Sequence, residues 1–112
     1  MADELLYEVS DGVATVTLNR PEQRNALNAA LLSELVEAMM RARDDDEVRC
    51  LVLTGAGDKV FCAGADLGGF AAEVPLVDKH FASDLFLEFF RLMPRLGKPS
   101  LCAANGHVLA GG

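Results

Sequence analysis

The chain has 112 residues, a formal net charge of −7 and 51% apolar residues. This length suits one domain or part of a larger one, and the apolar fraction is enough to build a core. The negative charge excludes a nucleic-acid partner in our interpretation, because it repels a phosphate backbone. No apolar run approaches the roughly 20 residues that span a bilayer, and the start of the chain does not resemble a signal peptide. We therefore expect no membrane association and a cytoplasmic protein.

Three cysteines are present, Cys50, Cys62 and Cys102. Their number is odd, they are widely spaced, and no CxxC or HxxxH pair accompanies them. We therefore predict reduced thiols and no metal site.

Two strands joined by a tight turn are predicted near the start of the chain. Leu5–Ser10 is followed by Asp11 and Gly12, a pair that favours a hairpin turn because glycine adopts positive φ at no cost. Val13–Leu18 then alternates between two faces and is rich in β-branched residues, which is typical of a strand. Pro21 ends the ladder because it has no N–H to donate.

A helix is predicted from the N-cap Asn28 to about Arg43. Apolar residues recur along it at intervals of three and four, which indicates one buried face. The predicted buried residues are Leu31, Leu32, Leu35, Val36 and Met39.

The second half of the chain repeats the alternation of strand and helix. Residues 48–54 form an almost continuous apolar run, which suits a strand covered on both faces. Val60–Cys62 is predicted to be a short strand, residues 63–67 a brief helical segment, residues 76–93 a long helix and residues 100–104 a strand. The order ββαβαβ indicates an α/β fold with a mostly parallel sheet. One stripe of the long helix forms either core or part of a ligand pocket: Phe81, Leu85, Phe89 and Leu92.

Nucleotide-binding and serine-hydrolase motifs are missing from the sequence. Gly55 and Gly57 do not begin a dinucleotide fingerprint, because Val60 occupies the position of the third glycine. No phosphate-binding Gly-Lys-Ser/Thr loop and no GxSxG nucleophile turn occurs. A nucleotide-binding protein or a serine hydrolase would therefore lack the residues that its chemistry needs.

Two glycine-rich segments could bind an anionic oxygen. Residues 61–67 (FCAGADL) lead from a strand towards a helix, and residues 105–112 (NGHVLAGG) end in two glycines. The backbone N–H of Ala65 and that of Gly111 would be unsatisfied donors if each stood at a helix start. Two such donors that converge on one oxygen make an oxyanion hole. Glycine at such a junction equally serves packing or a turn, so the pattern alone leaves both readings open.

The sequence resembles the crotonase superfamily, which includes the enoyl-CoA hydratases and isomerases, over nearly its whole length. Four stretches carry the resemblance in the family's order. VATVTLNRP, residues 13–21, is similar to the opening strand and loop, and RNALN, residues 24–28, to the segment that follows. The segments 61–67 and 105–112 are similar to the family's two oxyanion blocks.

The resemblance implies roles for individual residues. Ala65 and Gly111 match the two oxyanion N–H donors. Residues around the bound coenzyme A are matched by Arg24, Ala26, Ala63, Asp66 and Leu67. Arg24 matches a basic position near the phosphates, although alone it would read as a solvated loop residue. For Asp66 a helix-capping role competes with ligand contact, and His107 is expected to be structural.

The resemblance also implies an architecture and a chemistry. Residues 1–112 would form the N-terminal portion of a crotonase-like core, a spiral of ββα units that is truncated here. The substrate would be an acyl-CoA, no separate cofactor would be needed, and the full-length protein would be a homotrimer or hexamer. We expect Asp84 and Glu88 to be exposed helix residues, and no residue matches the family's general acid or base.

Two functional interpretations remain at this point. The chain is either part of an acyl-CoA lyase or isomerase, or a non-catalytic fragment that binds acyl-CoA or a partner chain. Which of the family's reactions it serves is left open, because the reactions differ in acid and base residues. We expect the isolated chain to be poorly stable or to aggregate, since a sheet edge and apolar surface would be uncovered.

Overall fold

The structure, a computed structural model, describes the backbone of residues 3–65 and 76–112 and the side chains of residues 3–65 and 84–112. Six strands and two α-helices lie in these residues, with short 3₁₀ turns at Pro21–Gln23 and Met93–Arg95. The strands are β1 Leu5–Ser10, β2 Val13–Leu18, β3 Cys50–Gly55, β4 Val60–Cys62, β5 Ser100–Ala103 and β6 His107–Val108, and the helices are α1 Ala29–Asp44 and α2 Leu76–Leu92.

The main sheet has four strands in the order β1-β2-β3-β5. β1 and β2 are antiparallel and are joined by Asp11 and Gly12, both at positive φ (53° and 81°), which confirms the predicted hairpin. β2 pairs with β3, and β3 with β5, both in parallel. The α/β class with a mostly parallel sheet is therefore confirmed. β4 and β6 form a separate parallel pair.

The core lies between α1, α2 and one face of the main sheet. All five apolar residues predicted to face inward from α1 are buried, and Ala38 and Ala42 join them. Asn28 caps the helix as predicted, with its side-chain oxygen accepting from the Leu31 N–H at 2.8 Å. On α2, Phe89 and Leu92 are buried, while the Phe81 side chain lies outside the described residues.

Two local predictions were wrong, and one strand, β6, was not predicted. β3 begins at Cys50 rather than Val48, because the Val48 N–H bonds to Asp45 in a turn. Residues 63–65 are not helical, since Leu27 pairs with Ala65 as a parallel bridge. β6 has only two residues, too few to show any period in the sequence.

β5 is the outer strand of the main sheet, and all four of its residues are exposed. Leu101 is 62% exposed, the largest value among the exposed large apolar residues. An uncovered apolar edge strand tends to associate with other chains. The predicted instability of the isolated chain stays a prediction. No helix among the described residues is long and apolar enough to cross a membrane.

Candidate functional site: two backbone segments meet at a glycine

The two predicted oxyanion segments lie against each other. We call the region where they meet the junction: residue 25, residues 55–57, residues 61–65 and residues 105–112. The parallel pairing of β4 with β6 brings the segments together, and the Leu109 N–H donates to the Cys62 carbonyl at 3.1 Å. A Cβ built on Gly112 would collide with that same carbonyl oxygen. The contact is therefore one of backbone on backbone, which only small residues permit.

Gly64 is the residue at the closest approach. Its φ is +92°, a conformation that L side chains rarely adopt. A Cβ at this position would stand 3.0 Å from the Leu109 carbonyl oxygen and 3.1 Å from the Gly111 nitrogen. Both the dihedral angle and the available space therefore require glycine here.

The N–H groups of the first segment are not equally available. The Ala63 N–H donates to the Arg24 carbonyl at 3.1 Å, and the Gly64 N–H contacts the Cys62 sulfur at 3.4 Å. Leu27 donates to the Gly64 carbonyl at 2.7 Å, and in a parallel pair of this kind the N–H of the opposing residue, Ala65, points away from the partner. No hydrogen bond between described residues uses the Ala65 N–H.

Two of the four N–H groups at residues 109–112, the end of the second segment, have no acceptor among the described residues. The N–H of Leu109 bonds across to Cys62, and that of Gly112 bonds back to Leu109 at 2.7 Å. Among the described residues, no acceptor is paired with the N–H of Ala110 or Gly111. Ala110 has φ of +46°, so the turn before Gly111 is strained.

An aromatic side chain of α2 lies beside the second segment. A Cβ built on Gly111 would stand 3.7 Å from the Phe86 ring, an ordinary van der Waals distance. Phe86 is half-buried, and its ring stacks on Phe90 with centroids 6.4 Å apart. Gly111 therefore lies near an apolar wall.

The residues that the resemblance assigns to coenzyme A are partly brought together. Arg24 and Ala63 are joined by their backbone bond, and Arg24 is exposed. Ala26 is nearly buried, and its carbonyl accepts from Arg20. Asp66 and Leu67 lie outside the described residues.

The Cys62 thiol is built into the junction. Its sulfur is buried, donates to the Asn25 carbonyl at 3.3 Å and accepts from the Gly64 N–H. Burial raises the pKa of this thiol, and the Gly64 N–H bond opposes the shift. A neutral buried thiol is a poor nucleophile, so Cys62 supports the backbone here rather than reacting.

Asn25 is a site residue that sequence reasoning treated only as part of a motif. Its exposure is 0%, and it adopts φ of +54°. Its amide nitrogen faces the carbonyls of Ala56, Val60 and Phe61 at 3.1, 3.2 and 3.0 Å. The sequence signal was a polar residue beside apolar Ala26 and Leu27. Its partners are 31 to 36 residues away, so only the folded chain reveals them.

Asn105, the first residue of the second segment, binds the backbone of residues 55–57 with its side chain. Its amide nitrogen donates to the Gly55 and Gly57 carbonyls at 2.7 and 2.8 Å, and its oxygen accepts from the Gly55 N–H at 3.2 Å. The next residue, Gly106, must be glycine, because a Cβ there would lie 2.5 Å from the Lys59 carbonyl.

Two acidic residues of α2 have side chains that the structure describes. Asp84 and Glu88 are exposed, as predicted. No group of three or more His, Cys, Asp or Glu side chains that could hold a metal occurs in the described part of the chain.

Comparison with protein families gives an independent assignment. The family model described as enoyl-CoA hydratase/isomerase matches residues 8–112. A curated relative, 1,2-epoxyphenylacetyl-CoA isomerase of Escherichia coli, is 38% identical over 100% of this chain and 44% of its own length. The chain thus spans less than half the length of that relative.

Solved structures match the same region. An enoyl-CoA hydratase from Bacillus anthracis superposes with a TM-score of 0.90 at 33% identity, covering 98% of this chain and 43% of that one. The enoyl-CoA hydratase from Mycobacterium tuberculosis gives a TM-score of 0.77 at 37% identity, over 97% of this chain and 42% of its own. The spiral fold predicted from the resemblance, present only in part, is confirmed.

Proposed function

Because the chain belongs to the enoyl-CoA hydratase/isomerase family, we propose that it supplies the oxyanion hole of an acyl-CoA enzyme. In this proposal the N–H groups of Ala65 and Gly111 bind the thioester oxygen of the substrate. They stabilise the negative charge that develops there when an enolate forms. Removal of one such donor typically costs about 3 kcal/mol of transition-state stabilisation.

The contact at Gly64 is the observation that carries the proposal. It holds the segment ending in Ala65 next to the Gly111 nitrogen. Neighbouring N–H groups at Ala63, Gly64, Leu109 and Gly112 are used within the protein, whereas those of Ala65 and Gly111 have no acceptor among the described residues. Donors kept free and fixed in place are what stabilisation of an oxyanion requires.

The substrate would lie across the junction from the apolar wall towards the basic loop. Its acyl group would run along Phe86, which lies near Gly111. Its coenzyme A part would lie near Arg24 and Ala63. A surface pocket of about 390 Å³ beside Arg24 is also lined by Lys59, whose ammonium could pair with a phosphate. This pocket is also lined by two carboxylates, Glu22 and Asp58, which reduce its net positive charge.

The chemistry of these residues is polarisation and alignment. The two N–H groups draw electron density onto the thioester oxygen, which acidifies the neighbouring carbon. Proton transfer then needs a positioned acid or base, and no residue of this sequence matches the family's proton-transfer groups. We therefore assign to this chain the electrostatic half of the reaction. Assembly of the full-length protein as a trimer or hexamer stays a prediction.

A proline substitution removes a backbone donor directly. In the protein as its source produces it, we expect Ala65→Pro to lower the rate of crotonyl-CoA hydration, or of enoyl-CoA double-bond isomerisation, by about 100-fold or more. Ala65 is not among the residues with positive φ, so the ring of proline is compatible with the sign of its φ.

Ala65→Gly is the matched control, because it keeps the N–H and should retain the rate within about threefold. A folded Ala65→Pro protein with full activity would contradict the proposal. Calorimetric titration with an acyl-CoA separates binding from no binding, and a crotonyl-CoA hydration assay separates the enzyme from the alternative, a fragment that binds acyl-CoA without turnover.

A further inference from the structure

One short loop is shared by both halves of the proposed oxyanion hole. Residues 55–57 are the last residue of β3 and the two residues after it, and each of their three carbonyls accepts a hydrogen bond from an asparagine side chain. The Asn105 amide nitrogen donates to the Gly55 and Gly57 carbonyls, at 2.7 and 2.8 Å, and the Asn25 amide nitrogen donates to the Ala56 carbonyl, at 3.1 Å. The loop is fixed to β2 as well, since the Ala56 N–H donates to the Leu18 carbonyl at 2.7 Å.

Asn25 connects this loop to the first oxyanion segment. The same amide nitrogen that bonds Ala56 also faces the Val60 and Phe61 carbonyls on β4. Its side-chain oxygen accepts from the Arg20 N–H at 2.8 Å, which identifies the nitrogen as the atom that faces the three carbonyls. β4 leads directly to Ala65, so the position of Ala65 follows from these bonds.

Asn105 connects the loop to the second segment. It immediately precedes Gly106 and β6, whose His107 N–H donates to the Lys59 carbonyl at 3.0 Å. Its own oxygen accepts from the Gly55 N–H, so side chain and loop bond in both directions. Gly55 admits no side chain, because a Cβ there would lie 2.5 Å from the Phe61 carbonyl and 2.8 Å from the Asn25 amide nitrogen.

We propose that Asn25 and Asn105 are positioning residues that set the placement of the Ala65 and Gly111 N–H groups relative to each other through residues 55–57. Neither asparagine needs to touch the substrate. Two donors on separate segments act on one oxygen only if their separation is fixed within a fraction of an ångström, and a misplacement of 1 Å can cost about 100-fold in rate. This inference rests on the proposed function.

The test compares two ligands in the protein as its source produces it. Acetoacetyl-CoA forms an enolate with negative charge on its thioester oxygen, whereas CoA itself has no such oxygen. The ratio of their dissociation constants, measured by titration calorimetry, therefore reports on contacts with the acyl group, the oxyanion hole among them, and not on contacts with CoA. We expect Asn105→Ala to weaken acetoacetyl-CoA binding about tenfold or more while CoA binding changes less than about twofold.

Asn25→Ser is expected to have the same selective effect. If both residues act through one loop, their effects on acetoacetyl-CoA affinity should not multiply. The loss of affinity in the double variant should be smaller than the product of the two single losses by a factor of about three or more. Losses that simply multiply would overturn the shared-loop proposal. Asn105 is exposed, so its variant carries the test if Asn25→Ser does not fold.

Asn105→Asp adds a measurement, the pH dependence of ligand preference, that general destabilisation would not change. A carboxylate facing the Gly55 and Gly57 carbonyls is repelled, but a protonated carboxyl can donate one hydrogen bond. We expect the ligand preference of this variant to recover as the pH falls, whereas that of Asn105→Ala should not. An identical pH response of the two variants would contradict the proposal.

Lys98→Met is the matched control for lost hydrogen bonds. The Lys98 ammonium also donates to two backbone carbonyls, those of Ala42 and Asp45, both at 2.7 Å, but at the far end of α1. It should lower stability without changing the ligand preference. If the parent protein showed no preference for acetoacetyl-CoA, the oxyanion hole itself would be refuted. If the parent showed the preference and the asparagine variants kept it, only the positioning role would be refuted.

Discussion

The core around α1 and the junction hold the same chain together by different physical means. Around α1, buried aliphatic side chains such as Leu35, Val36 and Met39 pack against β2 and β3. In the junction, glycines allow backbone to touch backbone, and the side chain of Asn25 replaces apolar packing with hydrogen bonds. The stability of the core depends on how well apolar side chains fill its volume, whereas the structure of the junction depends on the positions of individual backbone and amide atoms.

This difference predicts different responses to substitution. An apolar core tolerates changes of shape at roughly constant volume, at a cost of less than about 1.5 kcal/mol. A backbone contact at positive φ tolerates no side chain at all, because neither the dihedral angle nor the contact can relax cheaply. Substitutions in the junction should therefore affect function as well as stability, whereas substitutions in the core should affect stability alone.

Gly64→Ala should give the largest effect. The new methyl group would sit within 3.1 Å of the Gly111 nitrogen and at a φ of +92°, so the two segments must separate. We expect a loss of about 100-fold or more in the rate on crotonyl-CoA, with a loss of roughly 1–3 kcal/mol in the free energy of unfolding. Parallel enzyme assays and urea melts measure both. Gly97→Ala, also at positive φ but with no neighbour within 4 Å, is the control that should keep the rate.

Leu35→Ala tests the other region. Leu35 is 3% exposed and lies in the core cluster around α1. We expect a loss of about 3 kcal/mol in the free energy of unfolding because a cavity is left behind, with the rate of the folded protein unchanged. Leu35→Met, which keeps the volume, should cost less than about 1.5 kcal/mol. A large loss of rate with Leu35→Ala, measured well below its melting temperature, would show that the two regions are not separable.

Ala110→Gly should raise stability slightly. Ala110 has φ of +46°, which costs an L residue about 1–2 kcal/mol. Glycine removes this cost, but it also raises the conformational entropy of the unfolded chain, which offsets part of the gain in stability. A net gain of about 0.5 kcal/mol in a urea melt is expected. A destabilised variant would mean that the methyl group makes contacts worth more than the strain.

The smallest effect concerns the Cys62 thiol. Burial raises its pKa, so the folded state keeps the proton when the unfolded chain has lost it. Its stabilising contribution is therefore complete below about pH 8.5, the usual thiol pKa, and declines as the pH rises through the folded value. Between pH 7.5 and 9.5, urea melts should show a larger decrease in the free energy of unfolding for the parent protein than for Cys62→Ala. The other two cysteines are present in both proteins, so the comparison isolates Cys62. Equal drops would contradict the shift.

Much of the fold could be predicted from local patterns. The Asp11-Gly12 hairpin, the Asn28 cap and the apolar face of α1 each depend on neighbours within four residues, where the geometry of turn and helix is fixed. β6 was not predicted, because two residues are too few to show a period. The start of β3 was predicted at the wrong residue, because the Val48 N–H is used in a turn.

The candidate site divides in the same way. Sequence determined that residues 61–65 and 105–112 are glycine-rich segments similar to the oxyanion blocks of a family, and it singled out Ala65 and Gly111. Only the tertiary structure decided that these segments meet at Gly64 and that Asn25 and Asn105 share the carbonyls of residues 55–57. The reason is that hydrogen bonds between residues 31 to 51 positions apart leave no periodic trace in a sequence, whereas packing against a helix face or a strand does.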